Sequence, residues 1–257
     1  MKILVFDIEV TPSLAYVWGL FDQNVSINQI KSDWHLLSFA AKWLGKRKII
    51  YKDQRHARSI EDDRGLLIAL WQLLNEADVV ITQNGQSFDS KKINARFIIN
   101  GMKPPSPYRH IDTLRLARKH FKFTSNKLEY LAAKLCKTKK IKSRKFIGFE
   151  LWTACMAGNL SAWNEMKRYN IADVIATEEL YNRIAPWGHS VDLNSMRKTN
   201  EFKCNCGSIR TEKRGFNYSK TGKFQRYRCQ NQNCGAWSSG KENLLSKKKR
   251  KSMRKNA

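Results

Sequence analysis

The sequence predicts an α/β domain built on a mixed sheet, and three patterns along the chain support that prediction. Short apolar strands follow one another from residue 2 to residue 52, separated by polar or glycine-containing turns. Strand and helix signals then alternate from residue 62 to residue 100. Apolar residues at helical spacing dominate residues 113–187. Strands, then strand–helix alternation, then helices are typical of a sheet covered by helices.

The individual elements follow from local composition. The strand predicted at residues 2–10 is apolar up to Phe6, and the strand at 78–85 is a β-branched run that ends in Asn-Gly. The helix at 88–100 is stopped by Gly101 and the prolines that follow. The other predicted elements are strands at 15–21, 36–44 and 48–52, helices at 62–77, 113–121 and 126–136, and a short helix followed by a long one within 148–187.

Charge is the strongest signal in the overall composition. The chain has 48 Lys and Arg against 22 Asp and Glu, a formal net charge of +26. Residues 191–257 contain 18 basic and 4 acidic residues, so this short part carries +14 of that charge. Such an excess favours a polyanionic partner, usually nucleic acid, although a basic surface that serves only solubility is the alternative. The absence of a P-loop or dinucleotide fingerprint disfavours a nucleotide-dependent metabolic enzyme.

Composition also predicts four segments and a soluble, intracellular protein. Residues 1–187 contain the predicted sheet and helices, and residues 188–201 are a predicted linker. Residues 202–240 form a small cysteine-containing module, and residues 241–257 form a basic tail that we expect to be disordered. No signal peptide and no apolar run of membrane-spanning length is present, so we expect no membrane partner.

Two carboxylates interrupt the first strand. Asp7 and Glu9 project from the same face, because strand side chains alternate, and such neighbours raise each other's pKa unless a cation separates them. Carboxylate oxygens suit Mg²⁺ or Mn²⁺. Asp89 follows the second buried strand, and Asp173 lies in the long helix with Tyr169 one turn earlier on the same face. Each position alone also fits an ordinary acid at a strand end, helix cap or amphipathic helix.

Together these residues resemble a known family. The order D-x-E on the first strand, N-G-x-x-F-D at a strand–helix junction and Y-x-x-x-D on a late helix resembles the DEDD superfamily of 3′–5′ exonucleases, in the subclass with tyrosine in the third motif. The resemblance covers about residues 1–186. It implies a ribonuclease H-like fold, with a mixed five-stranded sheet and flanking helices, as in the proofreading exonuclease domains of DNA polymerases. The stretch HIDTLRLARKHF also resembles this family and makes Asp112 a lesser candidate.

The resemblance implies a metal-dependent 3′–5′ exonuclease that hydrolyses phosphodiester bonds at the 3′ ends of DNA or RNA, with single strands as the expected substrate. Tyr169 would orient the attacking water, and Asn84 would contact the nucleic acid. The implied ligands of two Mg²⁺ or Mn²⁺ ions are Asp7, Glu9, Asp89 and Asp173. A structure-directed endonuclease and a catalytically inactive nucleic-acid-binding protein are the alternatives. A compact, very basic nuclease of this kind suits the cytoplasm of a bacterial or phage-infected host cell.

Four of the six cysteines lie close together near the C-terminus and resemble a zinc ribbon. Each pair ends in Cys-Gly, and the pairs flank a predicted hairpin. The spacings C-x-C and C-x₄-C are irregular for a ribbon, so a degenerate ribbon without metal is the alternative to one bound Zn²⁺. The predicted ligands are Cys204, Cys206, Cys229 and Cys234. The remaining two, Cys136 and Cys155, are expected in the core.

Cations and aromatic rings alternate between the two cysteine pairs. Cations bind phosphates and rings stack on bases, which together predict binding of a single strand. For the rings, a role in the small core of the module is the alternative. The predicted nucleic-acid-binding residues of the module are Arg210, Lys213, Arg214, Phe216, Tyr218, Lys223, Arg226, Tyr227 and Arg228.

Overall fold

The computed structural model divides into two compact units, Met1–Tyr181 and Asn182–Ala257. No helix among the described residues combines the length and the apolarity that crossing a bilayer requires. The four segments proposed from composition stay a prediction, and part of the linker and the end of the tail fall outside the described residues. The structure describes residues 1–139, 145–188, 190–198 and 201–253.

The first unit is built on a mixed five-stranded sheet, as the sequence predicts. Three strands form an antiparallel half, and the last two run parallel to the central strand. Numbered in chain order and taken across the sheet, the strands are β5 (Ile49–Asp53), β4 (Leu36–Trp43), β1 (Ile3–Val10), β6 (Val79–Thr82) and β7 (Arg109–Asp112). A separate small sheet pairs β2 (Leu14–Ala15) with β3 (Ile30–Ser32).

Helices cover both faces of this sheet. Leu4, Phe6 and Ile8 on one face of β1 belong to the same buried cluster as the apolar side chains of α1 and α2. A second buried cluster contains apolar side chains of α5 and α6, including Trp163, and packs around Leu37 of β4. The helices of this unit are α1 (Arg64–Glu76), α2 (Asp89–Ile99), α3 (Thr113–His120), α4 (Leu128–Leu135), α5 (Glu150–Met156) and α6 (Leu160–Ile184).

Two segments differ from the sequence prediction. Of the predicted strand at 15–21, only Ala15 is in a strand, and that strand lies in the small sheet. Residues 16–21 are mostly exposed, and the β-branched and aromatic side chains that suggested a strand have no sheet to cover. The fifth strand of the main sheet is instead β7, which the sequence analysis missed. It is only four residues long and starts with two polar side chains, but pairing beside β6 buries Ile111 and Asp112.

A β-bulge lies beside Glu9. Glu9 pairs with Ser38, whereas Val10 pairs with Leu36, so Leu37 is an extra residue in β4. The bulge turns Leu36 towards the α1 and α2 cluster and leaves Leu37 in the α5 and α6 cluster. It therefore changes the direction of the strand pair at the position of the second carboxylate.

Helix α6 is fixed to β4 at two points. The Ser38 hydroxyl donates to Asn170 Oδ1 at 3.3 Å, and the Lys42 ammonium forms a buried ion pair with Glu178. Glu178 also accepts a hydrogen bond from the backbone N–H of Gly45 at 2.7 Å. The two anchors are almost equally far apart on both elements. Strand β4 rises about 13 Å from Ser38 to Lys42, and helix α6 rises about 12 Å from Asn170 to Glu178. These anchors set the middle of α6 over β1.

The second unit contains a three-stranded antiparallel sheet. A 3₁₀ helix at Leu193–Met196 precedes it, and Arg197 donates to the backbone carbonyl oxygens of Cys204 and Asn205, each at 2.8 Å. The strands, in spatial order, are β10 (Trp237–Ser239), β9 (Gly222–Cys229) and β8 (Thr211–Ser219).

The expected disorder of the basic tail stays a prediction, and the described part of the tail contains a short helix. Lys247–Ser252 form a short helix, α7, and Ser246 Oγ accepts from the backbone N–H of Lys249 as an N-cap. Lys and Arg have good intrinsic helix propensity, which explains a helix where no apolar periodicity exists. No residue of α7 is buried, and residues 254–257 lie outside the described part.

Candidate active site and metal centres

Three of the four predicted acids converge at the end of the central strand. One carboxylate oxygen from each of Asp7, Glu9 and Asp173 lies within 4.8 Å of the others. Asp7 and Glu9 are half-buried on β1, and Asp173 is buried on α6. The alternation of β1 and the two anchors of α6 bring together residues that are far apart along the chain.

Two side chains that the sequence analysis missed hold these acids. Asn170 Nδ2 donates to Asp7 Oδ2 at 2.7 Å, and Trp152 Nε1 donates to Glu9 Oε2 at 3.2 Å. The Trp152 ring meets the Tyr169 ring edge-on, with centroids 5.8 Å apart. Asn170 is fully buried. Its position three residues before Asp173, on the same side of the long helix, was the signal available in the sequence. Trp152 lies on a separate helix, and nothing in its spacing linked it to the acids.

Asp89 lies beside the acid cluster and is not one of its three members. Its carboxylate is buried at the start of α2 and accepts a hydrogen bond from the backbone N–H of Ile8, between the two acids of β1, at 3.2 Å. Burial raises the pKa of Asp89 to about 7, and nearby Asp112 adds to the increase. The hydrogen bond from Ile8 to Asp89 therefore links the start of α2 to β1. Burial makes the charged form of this carboxylate less favourable than it would be in water.

Asp112 organises the turn that leads into Asp89. It caps α3 and also accepts a hydrogen bond from the backbone N–H of Asn84 at 2.9 Å. Asn84 has a φ of 66°, in the left-handed region, and its side chain is exposed. A Cβ on Gly85 would lie 2.3 Å from Thr82 Oγ1, so only glycine fits there. Asp112 is thus a structural acid, and the exposed Asn84 is free to meet a ligand.

The donor set of the acid cluster fits a hard divalent cation. Carboxylate oxygens are the ligands that Mg²⁺ and Mn²⁺ prefer. Three carboxylates so close together repel one another, and a divalent cation removes that conflict. The hydrogen bonds from Asn170 and Trp152 orient two of the carboxylates, as supporting contacts do at metal sites.

A cavity of about 450 Å³ begins at Val10, the residue that follows Glu9. The Trp152 side chain that donates to Glu9 forms part of its wall. Lys92 Nζ lies 3.6 Å from the centroid of the Trp34 ring, and burial lowers the pKa of this lysine. The size suits a single nucleotide. The residues lining the cavity are Val10, Thr11, Pro12, Ser13, Trp34, Lys92, Phe149 and Trp152.

The four cysteines of the second unit also converge. All four sulfur atoms lie within 4.8 Å of one another, and the Cys204–Cys234 and Cys206–Cys229 pairs are each 3.7 Å apart. A tetrahedron with Zn–S bonds of about 2.3 Å has edges of about 3.8 Å, whereas a disulfide needs about 2.05 Å. The arrangement therefore fits Zn²⁺ and excludes disulfides between these pairs.

Sharp turns overcome the irregular cysteine spacing. Gly207 follows the first pair with a φ of 96°, and its N–H donates to the carbonyl oxygen of Cys204 at 2.7 Å. Gly235 follows the second pair with a φ of 64°. Both values favour glycine. The bend lets the two sulfurs of C-x-C face a common point.

The predicted nucleic-acid-binding residues of the module lie on two faces of its sheet. Arg226 and Arg228 share one face with Trp237, whose ring centroid lies 4.8 and 5.8 Å from their guanidinium carbons. Trp237 was not predicted. Arg210 precedes β8, and Arg214 lies at a register shift within it. The opposite face carries Lys213, Phe216, Tyr218, Lys223 and Tyr227.

The match to a family model agrees with the fold. The family model of the RNase_H superfamily matches residues 4–185, a span that contains the acid cluster and Asp89. No curated protein sequence matches the chain. Solved structures similar to it include the family B DNA polymerase from the hyperthermophilic archaeon Pyrobaculum calidifontis, with 17% identity and a TM-score of 0.46. That match covers 72% of this chain and 24% of the polymerase, so the chain spans about a quarter of the polymerase's length.

Proposed function

The chain belongs to the RNase H superfamily, and from that membership we propose that it is a metal-dependent 3′–5′ exonuclease of the DEDD type with tyrosine in the third motif. One observation carries the proposal, namely the convergence of Asp7, Glu9 and Asp173 at the end of the central strand. Nucleic acid is the proposed substrate, and the net charge of +26 supports a polyanionic partner.

The acids have the role of holding cations. Asp7, Glu9 and Asp173 would bind directly, and Asp89 would complete the ligand set from its position beside Ile8. Two Mg²⁺ or Mn²⁺ ions bound there would supply an activated water and stabilise the leaving 3′ oxygen. Asn170 and Trp152 keep the carboxylates of β1 in the orientation that binding requires.

Tyr169 is proposed to orient the attacking water. It lies one turn before Asp173 on the same side of α6, and its ring is held by the ring of Trp152. A phenol hydroxyl can both donate and accept a hydrogen bond, which is what orienting a water molecule requires. Positioning is therefore its proposed contribution.

The cavity that begins at Val10 supports action at a strand end. It has room for one nucleotide beside Trp152, the side chain that donates to Glu9, and Lys92 provides a cation in its wall. We assign the terminal nucleotide to this cavity. An endonuclease on the same fold would need the strand to continue through it in both directions, so the two functions differ in their products.

In the second unit we propose a Cys₄ zinc site whose sheet binds the substrate. The sulfur–sulfur distances of 3.7 Å support the zinc assignment. The exposed arginines and lysines of both sheet faces support binding of phosphates, and the exposed rings of Tyr218 and Trp237 support stacking on bases.

End-labelled substrates test the proposal. Single-stranded DNA, duplex DNA and RNA, each labelled at the 5′ end, are incubated with Mg²⁺, Mn²⁺ or EDTA. Stepwise shortening from the 3′ end with either metal, and none with EDTA, is the expected result. Discrete internal cuts would favour the endonuclease, and binding without cutting would favour the inactive binder. Asp62→Asn, which changes an exposed acid outside the cluster, is the matched control for Asp7→Asn.

A further inference from the structure

The most unusual surface of the first unit is an apolar loop, residues 13–31, between β1 and β4. It exposes large apolar side chains that soluble proteins normally cover. Trp18 is 98% exposed, Leu20 90%, Ile27 88% and Phe21 84%. Tyr16 is also exposed. A cluster of this size indicates a contact surface.

Hydrogen bonds join the two ends of the loop. The backbone N–H of Tyr16 donates to the carbonyl oxygen of Gln29 at 2.9 Å, and Gln29 Nε2 donates back to the carbonyl oxygen of Tyr16 at 2.9 Å. The backbone N–H of Ser26 donates to Gln29 Oε1 at 2.9 Å, and β2 pairs with β3. The exposure is therefore a property of a folded loop.

The loop starts at the active site. It follows directly from the strand that carries Glu9, and Ser13 lines the cavity of about 450 Å³ beside Trp152. A second cavity of about 340 Å³ lies between residues 12–15 and helix α5. Phe149, which lines both cavities, is itself 62% exposed. Apolar surface thus continues from the cavity beside Trp152 onto the first residues of the loop.

The composition of the loop indicates what it contacts. Asp22 and Lys31 are its only charged residues, so it has no set of cations for phosphates. Its rings, Tyr16, Trp18 and Phe21, have the flat apolar faces on which unpaired bases stack. A second copy of the chain is a poor partner, because a net charge of +26 on each molecule opposes self-association.

We propose that the apolar loop is a stacking surface for the unpaired bases of the strand that enters the active site. This inference rests on the proposed function, because it assigns a second contact to the same substrate. Phosphates would be attracted by cations elsewhere in the chain, and the loop would hold bases through Trp18 and Phe21. The loop would then favour single strands over duplexes, whose bases are already stacked.

Binding to abasic strands tests the proposal. In the Asp7→Asn background, so that the strand stays intact, affinity is measured for a normal single strand and for one with abasic sites behind the 3′ terminus. Stacking is worth about 1–3 kcal/mol per base, so Trp18→Ala and Phe21→Ala should each weaken binding of the normal strand by about 5- to 150-fold. Neither substitution should weaken binding of the abasic strand, and Trp18→Phe should retain most of the affinity.

Controls separate this inference from the proposed nuclease. Trp187→Ala removes an equally large exposed ring outside the loop and should leave affinity unchanged. Because the assay measures binding, it stands even when the wild-type protein cuts no strand. Equal binding of normal and abasic strands by the wild type would overturn the proposal. So would unchanged binding by Trp18→Ala together with Phe21→Ala.

Discussion

The acid cluster and the cysteine cluster are assembled in opposite ways. Asp7, Glu9 and Asp173 come from the first strand and the last long helix of their unit, and they meet only when sheet and helix have packed. The cysteines meet through two tight turns at the ends of one small sheet. The first cluster is a product of the fold, and the second is itself part of the buried core of its unit.

The buried residues support this difference. Two extensive apolar clusters lie in the described part of the first unit, and neither contains the acids of the site. In the second unit the buried cluster consists of Cys204, Cys229 and Ala236, with Cys234 packed against it. Two of its three buried members are therefore predicted metal ligands. We expect removal of an ion to have very different effects on the two units.

Removal of zinc should have the largest effect on structure. Structural zinc sites contribute about 10–16 kcal/mol of apparent binding free energy, and the second unit has little apolar core to replace it. Chelation should abolish hydrogen-exchange protection of the amides in β8, β9 and β10 and leave that of β1 and β4 intact. Protection that persists in the metal-free module would show that the small sheet folds without an ion.

Asp7→Asn should abolish hydrolysis and leave the fold unchanged. The substitution keeps the side-chain volume but removes the negative charge from a proposed ligand, and the apolar clusters of the unit do not involve it. We expect that the variant no longer shortens a labelled strand from its 3′ end. Its melting temperature should equal that of the wild type. An active Asp7→Asn protein would contradict the site assignment, and an unfolded one would contradict the separation of cluster and core.

Asn170→Ala should have an intermediate effect. It removes the hydrogen bond that orients Asp7 together with the Ser38 anchor of α6, and the loss of such supporting contacts typically costs about 10–100-fold in metal affinity or activity. Titration with Mn²⁺ measures the affinity directly, which a purely structural defect would not change selectively. Asn182→Ala, at an exposed position of the same helix, is the control and should bind Mn²⁺ like the wild type.

The smallest of these predicted effects is the change that Asp89→Asn makes to the thermal stability of the metal-free protein. The pKa of Asp89 is raised from 3.8 to about 7 in the folded protein, so the folded state holds its proton more tightly than the unfolded state. Stability is therefore lost as the pH rises from about 4 to about 7, and asparagine removes that loss. In thermal melts without divalent ions, the gain of Asp89→Asn over wild type should be larger at about pH 8 than at about pH 5. Equal gains would mean that Asp89 is not a strained acid.

The sequence predicted the architecture better than the edges of the sheet. Long apolar patterns such as those of β1, β4 and α1 decide between strand and helix by themselves. The four residues of β7 do not, because their strand state depends on a neighbour that only the folded chain supplies. Residues 16–21 show the opposite case. Their aromatic composition favours a strand, but the described part of the folded chain supplies no neighbouring strand for them to pair with.

The same distinction applies to the candidate site. Asp7 and Glu9 could be placed together because alternation along one strand fixes their faces. Trp152 could not, because its contact with Glu9 depends on how α5 packs against the sheet. The sequence also could not predict which side chains share a face of the small sheet. The register shift within β8 changes that assignment.

The two anchors between α6 and β4 have a consequence for engineering this protein. One residue inserted into a helix rotates everything after it by about 100°. After an insertion between Asn170 and Glu178, only one of the two contacts with β4 could still form. Either Asp173 or the Glu178 anchor would then be rotated away from the strand. Lengthening the chain before that stretch, in the connection between α5 and α6, is the change that catalysis should tolerate.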